Sequence, residues 1–222
     1  MGNLPPCQST QGLAMSTSTL ITSSIAQLSS RLRVGDVVFI RVAVRPFKEV
    51  ADATLSWTNH VGVVVSTDAA EPLIGESTFP FSRFTRLSAF VARSEGARVA
   101  VSRLVVPLSA QQGLQLYAAA QRRTGIFYDS GFNLHSSRQF CSRYVREVLA
   151  EATGQEVGDV ENFASLLSRN PQVNLRFWRW WYFGRIPWHR QTVTPASLLQ
   201  CPLLFSVHDG QVSLARESAI AA

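Results

Sequence analysis

The most informative stretch of the chain is SSRQFCSRYV, residues 136–145, which has the pattern of a helix start. Ser137 is predicted to cap this helix, and Gly154 is predicted to end it. Cys141 then lies in the first turn, where unpaired backbone amides and the positive end of the helix dipole favour an anion and hence the nucleophilic thiolate. One face of the helix is apolar at helical spacing and comprises Phe140, Tyr144, Val145, Val148 and Leu149. A lone cysteine is more often a small buried apolar residue, so the helix by itself does not assign a role to Cys141.

A histidine at the start of a predicted strand gives this cysteine a partner. Residues 59–65, NHVGVVV, are rich in β-branched side chains and place His60 near the beginning of the strand. A strand histidine that faces a helix-start cysteine is the arrangement of papain-type thiol proteases and amidases, whatever the chain order. The imidazole also needs a polar group that holds it, and Glu76 in the next predicted strand is the best-placed carboxylate. Glu71 and Asp129 are the alternatives.

The remaining pattern is that of one mixed domain. The predicted strands cover residues 34–42, 59–65, 73–77 and 98–106. Ser109 begins an S-x-x-Q capping box, which predicts a helix from there to about Arg123. Gly62 leaves room for a backbone or a substrate to approach closely. Because no repeat or low-complexity linker divides the chain, the sequence predicts a flexible tail over residues 1–30 and a single α+β domain over residues 31–222.

Composition excludes several classes of protein. The 222 residues are 46% hydrophobic and 16% charged, which is enough apolar material for a core and too little charge for a disordered chain. No apolar run approaches the roughly 18–20 residues that a membrane-spanning helix needs. The three cysteines form no CxxC pair, and the four histidines lack ligand spacing, so neither a disulfide scaffold nor a metal site is expected. No charged residue precedes Arg31, so a secretory signal is not expected; a cytoplasmic protein, with Met15 as an alternative start, is predicted.

Positive charge is concentrated in one part of the chain. There are 21 basic residues, all Arg except Lys48, against 15 acidic ones, which gives a net charge of +6. No acidic residue lies between Glu161 and Asp209. That stretch holds Arg169, Arg176, Arg179, Arg185 and Arg190 together with Trp178, Trp180, Trp181 and Trp188. Arginine and tryptophan favour the headgroup zone of a membrane, so contact through Trp178, Arg179, Trp180 and Trp181 is one interpretation. The other is that the aromatics close the core and the arginines are solvated.

An ordered set of motifs resembles a known family. The motifs are GDVVF (35–39), NHVGV (59–63), GES (75–77), FCSRYV (140–145), IPW (186–188) and TVTPASL (192–198). In this order they resemble the circularly permuted papain-like proteins of the NlpC superfamily, and within it the YebB-like proteins. The resemblance implies an antiparallel sheet, or half-barrel, packed on the cysteine-bearing helix. It also implies that Cys141 is the nucleophile, His60 the base and Glu76 the carboxylate that orients the imidazole.

The same resemblance implies a thiol hydrolase of the amidase or peptidase type, acting on lipid or cell-wall amide or ester bonds in a small-molecule, peptide or lipid substrate. Tyr128 matches a recurrent tyrosine and is expected to line the oxyanion site, unless it is a core aromatic. No metal or organic cofactor is needed for thiol chemistry. Two alternatives remain: a lipid acyltransferase, and a membrane-surface or anionic-ligand binding module with a vestigial thiol site. Nucleic-acid binding is not expected because no recognisable module is present.

Overall fold

The computed structural model describes residues 21–214, which form a seven-stranded sheet with helices on both faces. The strand order is β1-β9-β6-β2-β3-β4-β5, and all neighbours are antiparallel except the β1–β9 pair. These strands are β1 (Ile21–Ser24), β2 (Val37–Val42), β3 (His60–Ser66), β4 (Leu73–Glu76), β5 (Arg83–Arg86), β6 (Ser94–Leu104) and β9 (Leu204–Ser213). A separate two-stranded ribbon joins β7 (Glu161–Asn162) to β8 (Gln191–Thr192).

Eight helices accompany the strands within residues 21–214. They are α1 (Ile25–Arg31), α2 (Arg45–Ala53), α3 (Leu87–Val91), α4 (Ala110–Arg122), α5 (Cys141–Thr153), α6 (Phe163–Ser168), α7 (Leu175–Trp181) and α8 (Pro195–Leu199). The central strands β2 and β3 are buried on both faces, which explains their nearly continuous apolar sequence. On one face α4 and α5 cover the sheet, and on the other α1 and α3 pack against a second apolar cluster.

The local signals for two helices are confirmed. Ser109 caps α4 in a reciprocal capping box with Gln112, and Gly154 ends α5 in the left-handed conformation with φ 73°. The predicted cap of α5 is wrong, however. Ser137 lies in the preceding loop, and the helix begins at Cys141 with Phe140 as a cap residue whose side chain makes no capping hydrogen bond. Cys141 is therefore the first helical residue.

Part of the segment predicted as a tail is folded. Residues 21–24 form β1, which pairs with β9, and Ser24 caps α1 in a capping box with Gln27. The sequence carries this S-x-x-Q capping pattern, but the absence of charged residues before Arg31 led to the prediction of a flexible tail. Residues 1–20 and 215–222 lie outside the described part of the chain, so the predictions about Met15 and the rest of the tail fall outside it too.

The space at Gly62 is occupied by the protein itself. A Cβ atom added there would lie 2.5 Å from the Ile74 side chain and 3.1 Å from Phe90. The backbone of β4 also approaches, with the Gly75 carbonyl oxygen 3.0 Å from that position. Of the two predicted neighbours, a backbone or a substrate, the structure therefore confirms the backbone.

Candidate active site

His60 and Glu76 form a buried pair at adjacent strands. His60 opens β3 and Glu76 ends β4, and His60 Nε2 lies 2.6 Å from Glu76 Oε2. Both side chains are almost completely shielded from solvent. The imidazole ring is held between two aromatic rings, Phe47 and Phe90, whose centroids lie 6.2 and 5.6 Å from its own. The ring can therefore neither turn freely nor exchange its carboxylate partner for water.

Cys141 approaches the other side of this imidazole. It is the first residue of α5, and its thiol is near enough to the His60 ring to raise the pKa of that imidazole. Because Nε2 is committed to Glu76, Nδ1 is the nitrogen that remains for the thiol. Burial alone would lower the pKa of His60, but the contacts with Cys141 and Glu76 outweigh it and raise the pKa from 6.5 to about 9. The imidazole is therefore held in its protonated form at neutral pH.

Glu76 is kept ionised by several donors at once. Arg93 donates to both carboxylate oxygens, at 2.8 and 2.7 Å, and Thr85 Oγ1 donates to Oε1 at 2.6 Å. Burial would raise the pKa of this carboxyl, but the hydrogen bond and charge of His60 and the charge of Arg93 lower it to about 2. Glu76 thus carries a full negative charge although its own side chain is shielded from solvent.

Tyr128 lies beside the thiol. Its pKa is raised well above the ordinary value because its hydroxyl is buried and faces Cys141 and Asp129. Among residues 21–214, no group makes a hydrogen bond of ordinary geometry with this hydroxyl. A buried hydroxyl with an unused hydrogen bond next to a nucleophile could donate to an oxygen of a bound molecule.

An apolar cleft opens at the histidine. Its volume is about 670 Å³. Its polar lining includes His60, Thr78, Arg93, Tyr128 and Ser130, whereas Val42, Val44, Phe47, Phe79, Phe132 and Trp181 form much of its apolar wall. Cys141 lines a small neighbouring cavity of about 20 Å³, which shares Phe47, Tyr128 and Phe132 with the cleft. The thiol side chain is buried behind these shared residues.

The alternative carboxylates bond elsewhere. Glu71 accepts hydrogen bonds from the backbone N–H and the hydroxyl of Ser88, beside α3. Asp129 accepts from the backbone N–H groups of Gly131 and Asn133, each at 2.9 Å, and so shapes its own loop. Of the three carboxylates considered, the structure brings only Glu76 to His60.

The sequence reasoning missed Arg93 and Thr85. Both hold Glu76, but neither stands in a motif, since Arg93 follows a short helix and Thr85 lies on the edge strand β5. Their roles follow from the pairing of β5 with β4 and from the path between α3 and β6, which only the folded chain reveals.

The proposed membrane contact requires one correction. Trp178 is only 1% exposed and packs edge-to-face against Phe163, so it belongs to the core and cannot meet a membrane. Trp180 is 71% exposed and Arg179 is exposed, whereas Trp181 is half-buried at the rim of the cleft. The aromatic segment is thus divided between core and surface.

Comparison with known proteins adds a family to this geometry. A family model described as permuted papain-like amidase enzyme, YaeF/YiiX, C92 family, matches residues 31–208. The uncharacterized protein YiiX of Escherichia coli (strain K12) is 27% identical over 184 residues, covering 83% of this chain and 90% of that protein. The crystal structure of yiiX from Escherichia coli O157:H7, described as a metalloprotein, aligns with a TM-score of 0.72 at 25% identity over 82% of this chain and 99% of that one.

These similarities confirm the expected permuted papain-like α+β fold, while the narrower YebB-like and NlpC assignment stays a prediction. The residues described by the structure do not fit a metal centre. Within residues 21–214, no three or more His, Cys, Asp or Glu side chains are grouped so as to hold a metal ion. No helix in that range combines the length and apolar character needed to cross a bilayer.

Proposed function

Because the chain belongs to the permuted papain-like amidase enzymes of the YaeF/YiiX C92 family, we propose that it is a thiol hydrolase with Cys141, His60 and Glu76 as its catalytic triad. One observation carries the proposal. A buried imidazole contacts a helix-start thiol on one side and lies 2.6 Å from a buried carboxylate on the other. A nucleophile next to a base, and a base next to the group that orients it, is the arrangement that catalyses acyl transfer through a covalent intermediate.

The reaction begins with the charged pair of thiolate and imidazolium. The Cys141 sulfur attacks the carbonyl carbon of an amide or ester, a C–S bond forms, and the carbonyl oxygen becomes an oxyanion. We infer that backbone N–H groups at the start of α5 and the unpartnered Tyr128 hydroxyl donate to that oxygen. His60 then gives its proton to the leaving amine or alcohol as the C–N or C–O bond breaks, leaving an acyl-thioester on Cys141.

Water completes the cycle. His60, now neutral, accepts a proton from a water molecule, whose oxygen attacks the thioester carbonyl. The C–S bond breaks, the carboxylic acid leaves, and the proton on His60 restores the imidazolium beside the thiolate. Glu76 stays ionised throughout and stabilises the charged ring, because its pKa of about 2 lies far below neutral pH. If an amine or alcohol takes the place of water, the same intermediate gives the acyltransferase reaction.

The cleft favours a lipid-like acyl group as substrate. Its walls are mainly apolar, and the cationic side chains that line it, Arg93 and the protonated His60, are both paired with Glu76. A cell-wall peptide carries charged groups that would find few partners on such walls, whereas an alkyl chain would bury its whole length there. Phe47, Tyr128 and Phe132 line both the cleft and the space at Cys141, so we expect the acyl carbonyl to reach the thiol past these three residues.

The proposal is tested by hydrolysis of p-nitroanilides and p-nitrophenyl esters that carry acetyl, octanoyl or palmitoyl groups. We expect kcat/KM to rise with chain length, Cys141→Ser to abolish turnover, and Glu76→Gln to lower kcat by on the order of 10²-fold or more while the protein stays folded. Cys201→Ser is the matched control, because Cys201 is also a buried free cysteine but lies outside the site. Full activity in Cys141→Ser would refute the proposed nucleophile, and full activity in Glu76→Gln would remove the carboxylate from the triad.

A further inference from the structure

Helix α7 has one buried and one exposed side. Phe177 and Trp178 point inward and are 6% and 1% exposed. On the outer side Trp180 is 71% exposed, and Phe183, in the turn after the helix, is 97% exposed. Phe183 has φ 51°, in the left-handed region, which is unfavourable for a bulky residue and carries its ring into solvent rather than onto the core. Trp180 thus exposes most of its ring and keeps only tilted contacts with Phe177 and Trp181, whose centroids each lie 6.1 Å away, while Phe183 extends into solvent.

Three unpaired arginines accompany these aromatics. Arg176, Arg179 and Arg185 are exposed, and no carboxylate within residues 21–214 lies within 4.0 Å of them. The neighbouring arginines differ, since Arg169 pairs with Glu161 and Arg190 donates to the Gly131 carbonyl. We define the α7 face by its exposed members: Arg176, Arg179, Trp180, Phe183 and Arg185. Its charge is wholly positive.

The α7 face is fixed beside the mouth of the cleft. Trp181 Nε1 donates to the Ser130 carbonyl at 2.9 Å, and the Tyr182 hydroxyl donates to the Gly131 carbonyl at 3.1 Å. Trp181 lines the cleft and also lines two surface hollows, of about 600 and 800 Å³, together with members of the α7 face. On the cleft side the rim carries Phe79, which is 76% exposed. The exposed aromatics and the cleft opening therefore share a border.

From these observations we propose that the α7 face docks the protein on an anionic lipid surface, with the cleft opening toward the bilayer. The occupant is argued from charge complementarity and side-chain type. Unpaired guanidinium groups bind lipid phosphates, and exposed tryptophan and phenylalanine insert at the headgroup level. Docking in this orientation delivers an acyl amide or ester from the bilayer to the cleft. This last step rests on the proposed hydrolase function, whereas docking itself does not.

The test is co-sedimentation of the full chain with vesicles of phosphatidylcholine alone or mixed with phosphatidylglycerol, at low and high salt. Binding is expected only with the anionic lipid and is expected to fall as salt rises, because the attraction is screened over about 10 Å at 0.1 M salt. Replacing Arg179 by Gln should weaken the partition coefficient roughly fivefold, the share of one basic residue near such a surface. The double variant Trp180→Ser/Phe183→Ser should abolish binding.

A matched control lies on another surface of the molecule. Leu114 is 70% exposed and lines a different cavity together with Arg33, and neither belongs to the α7 face. Arg33→Gln and Leu114→Ser should leave vesicle binding unchanged. Equal pelleting with neutral and anionic vesicles, equal losses in the control variants, or no pelleting at all would overturn the proposal, and the last result would favour a soluble acidic partner.

The same variants separate docking from catalysis. With a short-chain soluble ester, Trp180→Ser/Phe183→Ser should retain wild-type kcat/KM, whereas hydrolysis of a vesicle-borne substrate should fall with binding. If vesicles bind as described but neither substrate is cleaved, the hydrolase function fails and docking stands. If the soluble ester is cleaved and vesicles never bind, docking fails and the hydrolase function stands.

Discussion

At the scale of single residues, the site is a row of groups that keep one another charged. Arg93 holds Glu76 as a carboxylate, Glu76 holds His60 as an imidazolium, and His60 faces Cys141. Each of these contacts opposes burial, which on its own would neutralise both His60 and Glu76. The outermost member, Arg93, is also the one that no sequence motif indicates, so its contribution is the most informative to measure.

Replacing Arg93 by Gln should move the acid limb of the pH–kcat profile to higher pH. A neighbouring cation lowers a carboxyl pKa by about 1–3 units, so without it Glu76 would take up its proton, and His60 lose its partner, at a higher pH. Arg93→Lys should restore most of the wild-type profile because it keeps the charge. Arg83 provides the matched control: it lies 3.9 Å from the same carboxylate but its side chain is 44% exposed, so Arg83→Gln should leave the limb in place. Identical profiles for wild type and Arg93→Gln would contradict this role.

At the scale of elements, the distance between α5 and β4 determines whether nucleophile and carboxylate can serve the same histidine. Gly75 permits the close approach, because a Cβ atom added there would lie 2.7 Å from Tyr144 Oη and 2.8 Å from Val65 Cγ1. Tyr144 is a buried residue of α5, and Gly75 immediately precedes Glu76. The packing of helix on strand and the geometry of the site therefore depend on the same small residue.

The variant Gly75→Ala should push β4 and α5 apart, lowering the melting temperature and kcat together. Overpacking a buried site of this kind costs about 1–3 kcal/mol. Adding Tyr144→Phe removes the closest clash and should recover part of both losses. Gly113→Ala in α4 is the control, since its nearest neighbour would lie at 3.9 Å and alanine favours a helix by about 1 kcal/mol over glycine. An unchanged kcat in Gly75→Ala would show that the site tolerates this displacement.

Helices and strands with a strong local sequence pattern were predictable, and those that depend on contacts between distant parts of the chain were not. The apolar face of α5, the capping box of α4 and the β-branched run of β3 each carry their signal locally, and all three form as predicted. The pairing of β1 with β9 joins residues far apart in sequence, so no local pattern near Ile21 predicts it. In α7, Trp178 is buried in the core and Trp180 is exposed to solvent. Amino-acid composition alone could not predict which of the two would be buried.

At the scale of the whole molecule, the order of the motifs along the sequence is enough to predict the permuted fold. The complete set of residues in the site is evident only once the sheet has formed. The motifs around His60, Glu76 and Cys141 predicted which side chains would come together. They could not predict Arg93 or the apolar cleft, because these arise where α2, β2, β3 and the loops around Thr78, Arg93 and Tyr128 meet. Charges buried at that junction also link the stability of the whole chain to pH.

The melting temperature should fall as the pH rises from 6.5 through about 9. The pKa of His60 is raised in the folded state, so its stabilising contribution is fully present below pH 6.5 and is lost as the ring deprotonates near pH 9. For a chain of this size each kcal/mol corresponds to about 2–4 °C. The melting temperature of His60→Gln should fall less over the same pH range. The contributions of other titrating groups, including His208, are common to both proteins and cancel in the comparison. Parallel curves for the two proteins would contradict the raised pKa.

The most direct test of the triad is the pH dependence of Cys141 alkylation. Iodoacetamide labelling, followed by peptide mass, should modify Cys141 near neutral pH well before Cys201 and Cys7, at a rate nearly constant until His60 loses its proton near pH 9. His60→Gln should slow this labelling at neutral pH. A rate for Cys141 that climbs only as the pH passes about 8.5, as for an ordinary thiol, and that His60→Gln leaves unchanged would contradict the thiolate–imidazolium pair.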